Sequence, residues 1–513
     1  MDHFALVLSF ISTHWFAVLL ALCISMLYCW GVAPFRRSAI VAVVGDLPGP
    51  TTLPFVGNTI DMIKFKGQMH LQFDDYYKKY GRLFTMCFFS RKPAIVISDP
   101  DMIKELLVKE FHSFHSRPSE HSIRFPAPYD STLTSAAGDT WHRLRTTLSP
   151  TFSSHKMKVM VPMLNNSCDV LKKKLDHVTQ TGETVDIYKF LQGLTLEAIL
   201  ATFFGIDSNI QNDYDDPAFV AAREIFYSSP LWRVVMSMVM RVPGVRYLVM
   251  KCCPNRVLGP FVKLITWTKN IIDIKKKENK SISKDFLDMM LANTENENLP
   301  EDKRLTEHEV IAQSLVFLLA GYETTSNTLA LTCHHLATSP DIQDKVQREI
   351  DDIWSDEDEL PSYDMVQSMT YLDMVISETL RLYPPGFALS RVCARDCTIK
   401  GHPIKKDTMI LSLVYSIHRD PQYYPDPERF DPERFSAEAK QSRDPYTYLP
   451  FGHGPRNCIG MRFAQFEMKM MLARILKTFS LVVAPETKIP ADVCSKSVLG
   501  CGREGIKLRV KRR

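Results

Sequence analysis

Phe451-Gly452-His453-Gly454-Pro455-Arg456-Asn457-Cys458-Ile459-Gly460 sets one cysteine among glycines and an arginine, just ahead of an apolar-periodic stretch, Met461 to Phe479, that reads as a helix. Glycine permits tight turns and the close backbone approach that a planar cofactor requires. A cysteine at a helix N-terminus lies beside unpaired N–H groups and the positive end of the dipole. Both favour the thiolate, the form that ligates iron. The spacing Phe-x-x-Gly-x-Arg-x-Cys-x-Gly is long enough for chance matches to be rare, so the stretch reads as a haem-thiolate loop with Cys458 as the metal ligand. A thiolate opposite dioxygen pushes electron density toward O–O cleavage, which points to oxidative chemistry.

Upstream, Thr306-x-x-Glu309 reads as a capping box opening a helix that can run unbroken to about Ala337. Ser339-Pro340 supplies a cap and a first-turn proline for the next helix. The first of these helices would be on the order of 45 Å long, enough to traverse a domain. Within it, Thr324 lies one turn on from Ala320 and on the same face, and Gly321 removes a side chain beside them. That face could border a flat cofactor. Helical patterns dominate from Met157 to Ile350, and short β-like runs such as Ala94-Ile95-Val96-Ile97 and Thr408-Met409-Ile410-Leu411 are few. The expected fold is mostly α with a small β-sheet portion.

The N-terminus reads differently. No Asp, Glu, Lys or Arg falls between Asp2 and Arg36, and Phe4 to Trp30 exceeds the roughly 20 apolar residues needed to cross a bilayer. The basic pair Arg36-Arg37 on the C-terminal flank places the remainder of the chain in the cytoplasm. The expected organisation is an anchor over 1–35, a basic and proline-rich connector over 36–54, stiffened at Leu47-Pro48-Gly49-Pro50, and one catalytic domain over 55–513. Ile225 to Val262 is apolar but interrupted by basic residues and prolines, which suits helices lying in a membrane interface. The chain has 12 cysteines, and those in a large cytoplasm-facing domain should stay reduced. A formal charge of +4, with no arginine-rich array, excludes nucleic acid as a partner. No Gly-x-Gly-x-x-Gly opens a βαβ unit, and Ala312 stands where a second histidine would complete His308-Glu309 as a zinc motif.

Together these segments resemble the cytochrome P-450 superfamily from about Leu47 to the C-terminus. Ala320 to Thr325 looks like its oxygen-activating segment, Glu378-Thr379-Leu380-Arg381 like its Glu-x-x-Arg helix, Pro432-Glu433-Arg434-Phe435 like its meander, and Trp141-x-x-x-Arg145 like its haem-side helix. Leu148 to Phe152 and Pro450 to Phe463 are most similar to the microsomal family-three branch of animals, which oxidises drugs and steroids. The resemblance implies a P-450 fold and heme b on Cys458. It also implies a local opening of the central helix, Thr324 organising water during oxygen activation, and Glu323 relaying protons beside Ala320. Trp141, Arg145, Arg391 and Arg456 would hold the haem propionates, with Phe451 in the same loop, and Glu378, Arg381 and Arg434 would be architectural. NADPH would act only through NADPH-cytochrome P-450 reductase, with cytochrome b5 as a second candidate donor, at the endoplasmic reticulum membrane. The expected activity is insertion of one atom of O2 into lipophilic substrates. The competing readings are a peroxide isomerase like thromboxane synthase, against which the intact Glu323-Thr324 pair stands, and a non-enzymatic haem carrier or sensor.

Overall fold

The computed structural model describes residues 25, 28, 31–87, 93–118, 128–226, 251–252, 254–278, 285–300, 303–356, 359–495, 498–502 and 504–513. Most of the expected membrane anchor 1–35, all but residues 25, 28 and 31–35, and most of the expected interfacial region Ile225 to Val262 lie outside them. The helices that position the site are α1 (Gly138–Leu148), α2 (Ser154–Thr181), α3 (Ile187–Phe204), α4 (Glu307–Thr338), α5 (Pro340–Ile353), α6 (Thr370–Leu382) and α7 (Met461–Thr478). The strands of the two larger sheets are β1 (Leu83–Met86), β2 (Ala94–Ile97), β3 (Val185–Asp186), β4 (Leu389–Val392), β5 (Met409–Ser412), β6 (Phe479–Val483) and β7 (Lys507–Arg512).

Helix α4 is the axis of the molecule, and its start is the capping box read from the sequence. Glu309 N–H donates to Thr306 Oγ1 at 3.2 Å, and Thr306 N–H donates to Glu309 Oε2 at 2.9 Å. Its 32 residues correspond to about 48 Å. From Val310 to Leu319 every residue is buried, so the helix is apolar on all sides because it is surrounded. Arg143 of α1 ion-pairs with Glu309 and tethers the α4 N-terminus to the helix that carries Trp141 and Arg145. At the other end, Ser339 stands at the N-cap position of α5 but its side chain makes no capping bond. Its N–H is already closing α4 on Leu336 O, so the same residue ends one helix and starts the next, and Pro340 supplies the first turn alone.

Helix α3 packs along α4. It is the one described helix long and apolar enough to cross a membrane, and 83% of that stretch is buried, which makes it a core helix. Asp186 opens it by accepting Tyr188 N–H. A Cβ on Gly321 would come within 2.8 Å of Ile199 Cδ1, so the missing side chain of Gly321 serves the α3–α4 contact.

The small sheet runs β1-β2-β5-β4. The two β-like runs of the sequence are neighbours in it, paired parallel with Ala94 opposite Met409 and Val96 opposite Leu411. The second run is displaced by one residue from its expected bounds, to Met409–Ser412. Arg391 in β4 pairs with Ile410. A second, antiparallel sheet, β3-β7-β6, closes the C-terminus. Phe479, expected as the last helical residue of α7, opens β6 instead. An aromatic cluster behind the cysteine loop joins the layers, with Phe203 of α3 at 5.3 Å from Phe463 of α7 and 5.9 Å from Phe317 of α4. Residues 37–44 form a helix inside the expected connector, while Pro48 accepts Thr85 N–H at 2.8 Å and docks the proline-rich part on β1.

Candidate active site

The cysteine loop is folded by its own backbone. Gly452 N–H donates to Leu449 O, Asn457 N–H to Gly454 O, and Cys458 N–H to Phe451 O at 2.9 Å. Gly452 and Gly454 adopt φ of 70° and 76°, the left-handed region where a side chain is strained. A Cβ on Gly454 would lie 2.2 Å from Leu107 O, so the close approach at this glycine is made by the protein's own backbone. Helix α7 begins at Met461 with Gly460 as its N-cap, two residues past Cys458, as expected.

The thiol does not show the expected net acidity. Burial pushes Cys458 up, against the pull of the Gly460 N–H, Arg117 and Arg145. Cys458 is nonetheless exposed to a water-sized probe, while Arg456 and Phe463 near it are buried. Protein surrounds the sulfur, so these two observations agree if it borders a space inside the fold. The Gly460 N–H and the two cations favour the thiolate, and desolvation opposes it.

The expected propionate residues converge on this loop, and the structure divides their work. Arg145 donates from Nη1 to Asn457 O at 2.9 Å and from Nη2 to Asn457 Oδ1 at 2.8 Å, which pins the residue before the cysteine. Arg456 donates from Nη1 to His115 O, and from Nη2 to Thr134 O at 3.3 Å and Ala136 O at 2.6 Å. Its guanidinium lies 5.0 Å from the Trp141 ring centroid, which is the place the structure gives that buried indole. Among the described residues, Arg391 donates only to the neighbouring Ser390 O. The Nε atoms of Arg391 and Arg456 are buried without a partner.

These arginines act on one another. Burial first, then Arg117, pushes Arg391 down to about 9. Burial, then Arg117, Arg391 and Arg145, does the same to Arg456, also to about 9. Four guanidinium groups held in mutual repulsion, with buried donors left over on two of them, form a receptor for anionic oxygens. A planar group carrying carboxylates and an iron for Cys458 fits that donor set.

On α4, Ala320 is exposed and Thr324 partly so, although Leu319, Tyr322, Glu323 and Thr325 around them are buried. These two residues share the face that opens on space. The helix is continuous through them, and Thr324 Oγ1 donates back to Ala320 O at 2.7 Å. The expected local opening is therefore absent, because the threonine hydroxyl satisfies the carbonyl that an opening would free. Glu323 faces the other way. It accepts from Tyr188 Oη at 2.7 Å and Gln192 Nε2 at 3.3 Å, both on α3.

The Glu-x-x-Arg pair is buried completely. Arg381 donates from Nε and Nη2 to the two oxygens of Glu378 at 2.7 and 2.8 Å, and from Nη1 to His418 O at 2.8 Å. Asp431 N–H adds a bond to Glu378 Oε1, and Arg434 approaches the same atom at 3.6 Å. The expected three-residue network is formed.

Sequence reading missed four residues. Asn457 lay inside the quoted loop, and its position between Arg456 and Cys458 was the available signal. Tyr188 and Gln192 are spaced one turn apart on a mostly apolar helix, where two polar groups on one face mark a buried partner. Arg117 carried no local signal; only folding brings it to Arg391 and Arg456.

A family model described as Cytochrome P450 matches residues 47–510. Cytochrome P450 3A6 of Oryctolagus cuniculus is 37% identical over 489 residues, 94% of each chain. Cytochrome P450 3A7 of Homo sapiens is 38% identical over 478 residues, 92% of each chain. Cytochrome P450 3A16 of Mus musculus is 39% identical over 491 residues, 94% of each chain. The likeness extends through the cysteine loop, the central helix and the buried ion network alike, and on it the chain belongs to the cytochrome P450 family, as a monooxygenase whose haem is held by a cysteine thiolate.

Proposed function

We propose that Cys458 supplies that thiolate and that the enzyme inserts one oxygen atom into bulky lipophilic molecules, steroids and foreign compounds among them. The observation that carries this reading is the cysteine loop itself: a sulfur bordering internal space, at a helix N-terminus, beside arginines whose buried donors lack protein partners. Haem bound there supplies the activation of dioxygen, with electrons that originate in NADPH. Arg391 and Arg456 present their free Nε donors to its carboxylates, while Arg145 holds Asn457 and so the approach of the chain to Cys458. Ala320 leaves room on the α4 face, and Thr324 Oγ1, released from Ala320 O, donates a hydrogen bond to a water there. Glu323, which accepts from Tyr188 and Gln192, would relay a proton to the Thr324 side by a rotamer change.

Electrons come through NADPH-cytochrome P-450 reductase, with cytochrome b5 as a second donor. The similarity to relatives named as family-three P450 enzymes supports the substrate class. The charge-free residues 4–30, followed by Arg36-Arg37, support a single-pass anchor in the endoplasmic reticulum membrane with the catalytic domain, 55–513, on the cytoplasmic side. The test is the reduced carbon monoxide spectrum. The wild-type protein should show the strongly red-shifted thiolate band and Cys458→His should lose it; a band retained in the variant would overturn the assignment. NADPH consumed per product, measured with reconstituted reductase, then separates monooxygenation from peroxide isomerisation, which consumes none.

A further inference from the structure

Gln313 is a fully buried polar side chain in the apolar body of α4, and both ends of its amide are used on one distant segment. Leu133 N–H donates to Gln313 Oε1 at 2.8 Å, and Gln313 Nε2 donates to Ser131 O at 2.8 Å. The segment is a compact turn, closed by Ser135 N–H and Ala136 N–H on Thr132 O. Its far end is held from a second direction, since Arg456 of the cysteine loop donates to Thr134 O and Ala136 O. Residues 131–136 are thus a strap fastened at one end to the central helix and at the other to the loop that carries Cys458.

Gln313 stands seven residues before Ala320 and eleven before Thr324, so the three lie within about one narrow stripe of the helix. That stripe is the one that opens on internal space at Ala320 and Thr324. We infer that Gln313 is a positioning residue for bulky substrates: it sets the distance of the strap from α4, and the strap is the wall of the substrate space on the Ala320 and Thr324 side. The inference rests on the reading of Cys458 as the iron ligand, and an apolar side chain of equal size would fill the same volume without fixing the wall. Burying an amide costs free energy unless its bonds are made, so a glutamine here stabilises one backbone placement over its neighbours.

The test uses haem-loaded, full-length protein and two iron-binding probes of different size. Imidazole reports the iron alone, and a triarylmethyl imidazole also needs room against the walls. Gln313→Leu should leave the carbon monoxide thiolate band and the imidazole Kd within about twofold. The Kd of the triarylmethyl imidazole should shift by roughly tenfold, as two backbone hydrogen bonds are lost. Gln313→Glu, which keeps the acceptor for Leu133 and, protonated, the donor for Ser131, should bring the ratio of the two Kd values back toward wild type. Gln313→Met is the variant to read if Gln313→Leu does not fold. A ratio unchanged in Gln313→Leu or Gln313→Met, even with a lowered Tm, would overturn the inference and leave Gln313 a stability residue. A ratio shifted equally in Gln313→Glu would overturn it too, by tracing the effect to packing. Loss of the thiolate band in the wild-type protein would instead refute the reading of Cys458.

Discussion

Two clusters of buried arginine lie in this molecule, and they are resolved in opposite ways. Around Glu378 and Arg381 charges of both signs meet: two carboxylate oxygens face a guanidinium fork, His418 O, Arg429 O and Asp431 N–H add to it, and Arg434 stands 3.6 Å from the carboxylate although its buried Nε makes no hydrogen bond. Burial pushes the Glu378 carboxyl up, but the bidentate Arg381 contact and Arg434 pull it down, and with two cations on it we read it as ionised. Around Cys458, Arg391 and Arg456 are also buried, yet the charges acting on them are other guanidinium groups. Charges paired with an opposite charge serve architecture, whereas buried guanidinium groups gathered without a carboxylate are shaped for an anion that the described residues do not supply.

The comparison breaks first at Arg381. Arg381→Ala should cost about 3 to 5 kcal/mol because it strands the Glu378 carboxylate. Urea unfolding measures this, and a loss under about 1 kcal/mol would mean that the network is not what holds this region together.

The same region carries a pH signature. Burial, helped by nearby arginines, pushes His70, His335 and His418 down to about 3. His418 Nδ1 faces Arg381 O and its Nε2 accepts Leu449 N–H, an arrangement only the neutral ring satisfies. An unfolded chain binds these protons near pH 6.5 and the native one does not. Stability is therefore full above about pH 6.5 and falls as pH drops toward 3, by up to about 1.4 kcal/mol per histidine per pH unit. The urea midpoint followed from pH 7 to 5 should decline, and His418→Asn should remove one proton's share of the slope. A flat profile would show that the rings titrate freely.

Arg391 sharpens the contrast because the expected sign reverses. Arg391→Met deletes a buried cation without a carboxylate partner, so haem-free protein should keep its stability or gain about 1 kcal/mol. Haem retention after gel filtration should fall. Equal retention, or a destabilisation like that of Arg381→Ala, would place Arg391 with the architectural charges.

The smallest change in stability belongs to Thr324→Ala, which removes a hydroxyl bonded back to Ala320 O and should alter unfolding by less than about 1 kcal/mol. Its effect appears in turnover: product formed per NADPH consumed should drop while haem content stays. Unchanged coupling would reduce Thr324 to a helix residue.

Local chemistry determined a good part of this protein from sequence alone. The Thr306-Glu309 box acts over a single turn, so the start of the 32-residue helix was legible. The glycines and Cys458 of the loop were legible for the same reason, as were the two β-like runs, whose pairing partners the sequence did not name. Tertiary structure decided what depends on distant partners. Gly321 is bare because Ile199 lies against it, Gly454 because Leu107 does, and Glu323 points at Tyr188 because α3 is there. The division among the arginines belongs to the same class. Whether a guanidinium is spent on Asn457, as in Arg145, divided between backbone carbonyls and a free buried Nε, as in Arg456, or given one neighbouring carbonyl and a free buried Nε, as in Arg391, depends on which oxygens the folded chain brings within about 3 Å, a distance that no spacing along the sequence encodes.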